Sequence, residues 1–200
     1  MRNTQQEMIQ EMSDNEITFH LLLTQVIILS AAVGLSAFFF DAFLTEWLEQ
    51  FYTSWQEWWL YGIIPGLIVL LIDLFLMYVL PESTYDDGGV NKRVFANRSL
   101  PGIFMITLLV AVSEEMLFRG VVHHEFGYIT ASVLFAVLHI RYLKRMVLFL
   151  SVLFVSFFIG YMYEVTGSLI VTITAHFIID VVLGVWIRLG KWGEKHASKT

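Results

Sequence analysis

Residues 100–122 read LPGIFMITLLVAVSEEMLFRGVV, an apolar run that carries Glu114, Glu115 and Arg119 in its second half. About 20 mostly apolar residues are enough for a helix to cross the hydrocarbon core of a bilayer. Insertion scales charge roughly 2.5–3.5 kcal/mol for each ionised side chain at the middle of such a helix. Three of them oppose most of what the neighbouring Leu, Ile, Phe and Val supply. A chain keeps such charges where they are paired, hydrated in a cavity, or used in chemistry. Glu115 and Arg119 are four apart, so on a helix they share a face and form an ion pair. Glu114 points about 100° away from Glu115 and has no partner at that spacing. One reading is a structural pair with a second, solvated acid. The other makes Glu115–Arg119 a brace and Glu114 a working acid or base.

The rest of the composition agrees with a membrane setting. The 200 residues are 57% hydrophobic and 15% charged, against about 25% charged in ordinary globular chains. The apolar residues fall into long blocks, which predicts an all-α, polytopic membrane bundle. A net charge of −6 with no basic face or aromatic RNA motif gives no support to a nucleic-acid partner. Cysteine is absent, which excludes disulfides, thiolate catalysis, cysteine zinc sites and lipidation on Cys. The first sixteen residues are polar and acid-rich rather than basic, so the first apolar block is expected to stay as an anchor.

Six membrane segments are expected: 19–40, 58–80 with a kink at Pro65, 100–122, the short 128–140, 146–163 and 168–189. Residues 41–57 mix Trp47, Phe51, Tyr52 and Trp55 with Glu46, Glu49 and Glu57, as an interfacial helix does. The expected division is 1–99, holding the tail, two spans and the interfacial segment, and 100–200, holding four membrane segments and a basic tail. With the N-terminus in the cytoplasm, eleven of the twelve Lys and Arg fall on the cytoplasmic side, and only Arg119 does not. That obeys the positive-inside rule and predicts a multi-pass protein of the cell membrane with both termini cytoplasmic. Asp73, in the second span, has no partner in its own helix and reads as structural or water-facing.

Three more polar residues lie inside apolar segments: His139 at the end of the fourth, and His176 and Asp180, four apart on the sixth. At 1.5 Å per residue from the outer ends, Glu114 and His176 lie about 12 Å deep, His139 about 16 Å and Asp180 about 18 Å. Four ionisable side chains from three helices therefore share one layer, whereas unrelated structural roles need not agree in depth. A carboxylate and an imidazole can hold and deprotonate a water while a second imidazole stabilises an oxyanion, which is hydrolytic chemistry. No Gly-x-Ser-Gly motif accompanies them. His124-Glu125 is followed by Phe126, Gly127 and Tyr128, so no His-Glu-x-x-His zinc motif forms either. Glu114, His139, His176 and Asp180 are donor types that suit zinc, although a metal-free glutamate mechanism is favoured. Phe135 is a wall residue in either case.

Glu-Glu-x-x-x-Arg at 114–119, Phe-x-x-x-His at 135–139 and His-x-x-x-Asp at 176–180 together resemble the CAAX-processing and bacteriocin-processing (CPBP) family of intramembrane proteases, type II CAAX endopeptidase-like. The likeness extends through Leu117-Phe118-Arg119-Gly120, Gly160 and Thr166-Gly167-Ser168-Leu169, covering roughly residues 100–189. It implies an intramembrane endopeptidase in which Glu114 and His139 activate water. It also implies that His176 and the residue at 180 stabilise the oxyanion, with Glu115 and Arg119 orienting the site. The implied partners are the lipid bilayer and a peptide or lipid-linked membrane protein substrate. Many members carry Asn where this chain has Asp180. An amide donates to an oxyanion and an ionised carboxylate repels it, so Asp180 is expected to orient His176. The alternative reading is a non-enzymatic membrane scaffold or bacteriocin self-immunity protein with the same fold. A proton-coupled carrier using Glu114 and Asp73 ranks last, because no discontinuous paired helices are evident.

Overall fold

A computed structural model of the chain describes residues 11–139, 142 and 145–190. Arg2, Arg141, Lys144, Lys191, Lys195 and Lys199, counted above in the charge asymmetry, lie outside the described residues, as does Ile140. The elements are α1 (Asp14–Phe39), α2 (Phe43–Gln50), α3 (Trp55–Val79), α4 (Val90–Phe95), α5 (Leu100–Phe126), α6 (Tyr128–Leu138), α7 (Met146–Thr166) and α8 (Leu169–Arg188). No strand occurs among the described residues. Helices α1, α3, α5, α7 and α8 are long and apolar enough to cross a membrane, and α6 is a shorter apolar helix. Large apolar side chains such as Phe38, Phe75 and Leu71 point outward. In water that surface would be unstable; in a bilayer it is the solvated one.

Local chemistry sets the helix ends. Ser13 with Glu16 and Ser54 with Glu57 form reciprocal capping boxes at the starts of α1 and α3. Ser99 caps α5 ahead of Pro101, whose missing N–H costs nothing in a first turn. Gly127 (φ +85°) and Gly167 (φ +63°) turn the chain into α6 and α8 from conformations that other residues rarely adopt. Two stretches use the wider i→i+5 turn, Trp58–Ile63 in α3 and Met116–His123 in α5. The first lies just before Pro65, where the absent N–H and the ring would disrupt a regular turn. The second widens α5 directly after Glu115. Accordingly α5 continues through His123 and His124 to Phe126, beyond the expected end of the segment at residue 122.

The helices alternate in direction, so one end of the bundle collects the start of α1, α4 and the end of α8. Arg93, Arg98, Arg145 and Arg188 all work at this end. Arg93 bonds Met12 O and Asp14, Arg98 donates to Thr18 Oγ1, and Arg188 donates to Arg98 O. The opposite, far end collects α2 and the ends of α5 and α7, with Glu46, Glu49, Glu125 and Glu164.

Small residues let the spans touch. A Cβ on Gly66 would stand 3.0 Å from Ala175 Cα, so α3 lies directly against α8 one residue before His176. A Cβ on Gly160 would stand 2.8 Å from Ser132 Oγ, which brings α7 against α6. Small residues at helix contacts are what replaces the hydrophobic drive where the surroundings are themselves apolar. Trp47 of α2 fills the space above Gly120 of α5 and donates its indole N–H to Ser36 Oγ at 3.1 Å. The interfacial helix is thus seated on α1 and α5 together.

Candidate active site

Glu115 ends the regular part of α5 and is completely buried, as is Arg119 at 1% exposed. Arg119 donates to Glu115 Oε1 at 3.1 Å across one turn, the pair that the spacing predicts. A guanidinium has further donors to satisfy in a dry environment. Arg119 sends another to Ser156 of α7, 3.0 Å to the carbonyl and 3.3 Å to Oγ. Ser156 Oγ in turn donates to Ser132 O of α6 at 3.1 Å. The remaining face of Arg119 lies 4.7 Å from the centre of the Phe135 ring, a favourable cation–π placement. One arginine therefore ties α5, α6 and α7.

The same Glu115 Oε1 lies 2.8 Å from Nδ1 of His176. Since Glu115 already accepts from Arg119, Nδ1 is the donor, and the tautomer of His176 is set. Its Nε2 faces Asp180 Oδ2 at 3.4 Å, one turn further along α8. A single proton has to lie between these two atoms, on the ring or on the acid. Glu115 thus bridges Arg119 and His176, a link that sequence spacing gave no way to see. It joins residues 61 apart in the chain.

Glu114 is half-buried and lies within electrostatic reach of His176, Asp180, Glu115 and Arg119. His139 follows the last turn of α6 and is half-buried. Its Nδ1 lies 2.8 Å from Phe135 O, an acceptor, so Nδ1 donates and Nε2 is the acceptor nitrogen of the neutral ring. Its ring centroid is 4.6 Å from Phe135 and 5.8 Å from Tyr142. Phe135 is buried and also contacts Phe118 at 5.0 Å and His176 at 6.2 Å between centroids. Phe135 therefore connects His139 to the Arg119–Glu115–His176 chain. All seven residues singled out in the sequence belong to one neighbourhood.

Asp73 reaches toward this neighbourhood from α3, within electrostatic range of Asp180. It lines a mainly apolar cleft of ≈ 380 Å³ between α3 and α7, with Ile72, Leu76, Leu150, Ser151 and Phe154. Gln25 of α1 is buried and accepts from Ser113 Oγ at 2.5 Å, next to Glu114. Neither Gln25 nor Ser156 carried a signal in the sequence, because lone uncharged polar residues in apolar helices have no distinguishing spacing. The four zinc-type donors Glu114, His139, His176 and Asp180 do not bring three ligand atoms within 4.8 Å of one another.

Residues 96–182 match a protein family described as Rce1-like, type II CAAX prenyl endopeptidase Rce1-like. The chain is also similar to the uncharacterized protein YpbD of Bacillus subtilis (strain 168), at 45% identity over 170 residues, which is 83% of this chain and 87% of that protein. No solved structure matches it.

Proposed function

The chain belongs to the Rce1-like family of type II CAAX prenyl endopeptidases, and on that premise we propose that it hydrolyses a peptide bond within the membrane using water held by Glu114 and His139. The observation that carries this reading is Glu115, buried and shared between Arg119 and His176, with Glu114 and Asp180 in the same electrostatic neighbourhood. A brace that served only packing would have no reason to fix the tautomer of a histidine on another helix.

The roles follow from donor and acceptor inventories. Glu114 takes a proton from the water as the water oxygen attacks the scissile carbonyl, and His139 Nε2 accepts the hydrogen bond that orients that water. The oxygen of the tetrahedral intermediate receives a hydrogen bond from the protonated Nε2 of His176, which turns from its 3.4 Å approach to Asp180 while Glu115 keeps hold of Nδ1. The proton on Glu114 then passes to the leaving amine. Glu115 and Arg119 do not touch substrate; they are positioning residues. Zinc would polarise the carbonyl and the water if bound, but the donors as packed do not converge at ligand spacing.

The substrate is proposed to be a peptide attached to the membrane, by a lipid group or by its own apolar segment. The mainly apolar cleft between α3 and α7, with Asp73 among its lining residues, supports approach from the bilayer side. The test compares the membrane-associated peptides of cells carrying wild type with those carrying Glu114→Gln. Substrates should persist uncleaved in the variant at equal protein levels. Equal processing in both would remove the hydrolytic reading and leave a scaffold or immunity role.

A further inference from the structure

The two oxygens of Glu115 are treated unequally by their surroundings. Oε1 accepts from Arg119 at 3.1 Å and from His176 Nδ1 at 2.8 Å. Oε2 is buried and has no hydrogen-bond partner. Leaving a buried acceptor bare is costly, and more so when it is part of a charged group. The plane of the carboxylate also depends on its partners, because the last torsion of a Glu side chain is broad and sets no sharp preference of its own. With both donors on one oxygen, nothing yet described fixes that plane.

Two donors lie near enough to be weighed. Arg119 Nε is itself buried and unbonded, but its N–H lies along the edge of the planar guanidinium that carries Nη2, and Nη2 is turned to Ser156. Thr172 of α8 is completely buried and sits four residues before His176, on the same face of the helix. That face meets Glu115, since His176 bonds it. The Thr172 hydroxyl stands beside the Glu115 carboxylate, in range for a side-chain hydrogen bond. As packed, Oγ1 points to Leu169 O at 3.2 Å, a carbonyl that the helix ladder already uses. A hydroxyl bonded to a carboxylate is shorter, about 2.5–2.7 Å, and roughly twice as strong as a neutral pair. A turn of the hydroxyl with a slight approach exchanges the weaker acceptor for the stronger one.

We propose that Thr172 is a positioning residue of the active site, donating its hydroxyl proton to Glu115 Oε2 and so fixing the carboxylate whose other oxygen holds His176. Glu115 is then gripped by Arg119 from its own helix and by Thr172 and His176 from α8. Thr172 does not touch substrate; it acts through Glu115 on the orientation of the His176 ring. Its effect on turnover rests on the hydrolytic reading above, whereas the contact itself is read without any activity.

Three variants isolate the hydroxyl. Thr172→Val keeps the shape and loses the donor, and Thr172→Ser keeps the donor and loses a methyl group. Thr107→Val is the control: its hydroxyl is also buried, but donates within its own helix, to Ile103 O at 2.9 Å. The full-length protein, carrying isotopically labelled histidine in detergent micelles, is followed by NMR at the His176 imidazole, whose signals are those that vanish in His176→Ala. The Nδ1–H resonance should match wild type in Thr172→Ser and Thr107→Val, and shift or broaden in Thr172→Val. In cells, Thr172→Val at equal protein levels should process membrane-associated peptides about ten- to a hundredfold more slowly than wild type, with Thr172→Ser restoring most of the rate. Three results overturn the assignment: a wild-type His176 spectrum in Thr172→Val, the same disturbance in Thr172→Ser, or the same disturbance in Thr107→Val. Should Glu114→Gln process as well as wild type, the hydrolytic reading fails, and the imidazole spectra still decide whether Thr172 holds Glu115.

Discussion

Two groups of acids and histidines gather along α5, around Glu115 and around His124, no more than about two and a half turns apart, and they are built in opposite ways. At mid-helix, Glu115 and Arg119 are closed off, and beyond their own pairing their contacts come from neighbouring helices: His176 from α8, Ser156 from α7, Phe135 from α6. At the far end, Glu46, His123, His124 and Glu164 border an open cleft, and Glu164 is more than half exposed. In the first group low dielectric strengthens each ionic contact and penalises each unpaired one, so geometry is fixed. In the second, water competes for the same carboxylates, so each contact is weaker and freer to rearrange. Reaction chemistry fits the closed layer, and exchange with solvent fits the open one.

The largest expected effect separates catalysis from support. Glu114→Gln keeps shape and removes the base, and processing should fall by about 10²–10⁴-fold, the usual worth of a positioned acid or base. Its amount in the membrane should match wild type. Arg119→Met should act the other way round. It strands Glu115 as a buried charge, costing about 3–5 kcal/mol, read as a lower unfolding midpoint in detergent and reduced accumulation. If Arg119→Met proved as stable as wild type, the closed layer would not be the rigid half of the comparison.

Asp180→Asn sharpens the account of His176. It replaces one orienting hydrogen bond worth about 1.4 kcal/mol, so activity should drop roughly tenfold, with a larger change in kcat than in KM. Undiminished turnover would mean that Glu115 alone holds the ring. The smallest effect is expected at the open end. Tyr163→Phe deletes the 2.9 Å bond to Gln50 Oε1 and should cost about 1 kcal/mol of stability, measured by thermal unfolding. A loss as large as that of Arg119→Met would show the far end to be as dry and rigid as the middle.

Several features were legible before any coordinates. Long uncharged blocks announce spans because a bilayer admits helices whose backbone bonds are satisfied internally. The i,i+4 spacings of Glu115 with Arg119 and of His176 with Asp180 give real contacts at 3.1 and 3.4 Å. Matched depth pointed to Glu114, His139 and His176 as one group, and Phe135 links the two histidines at 4.6 and 6.2 Å between ring centroids. The extension of α5 through His123 and His124 was not legible, since polar residues after a span read as a turn. Nor were the close contacts of Gly66 with Ala175 and of Gly120 with Trp47, because a glycine does not declare its partner.

Composition, hydrophobic blocks and helical spacing determined that this chain forms apolar helices and places acids and imidazoles at a common level within them. These are properties of single helices, and a 3.6-residue turn fixes them locally. Tertiary structure alone decided that Glu115 is shared by Arg119 and His176, that Ser156 takes a second donor of the arginine, and that Glu46 meets His124. Each of those contacts depends on which faces of separate helices meet, and that is settled by packing between small residues and by satisfying buried charges.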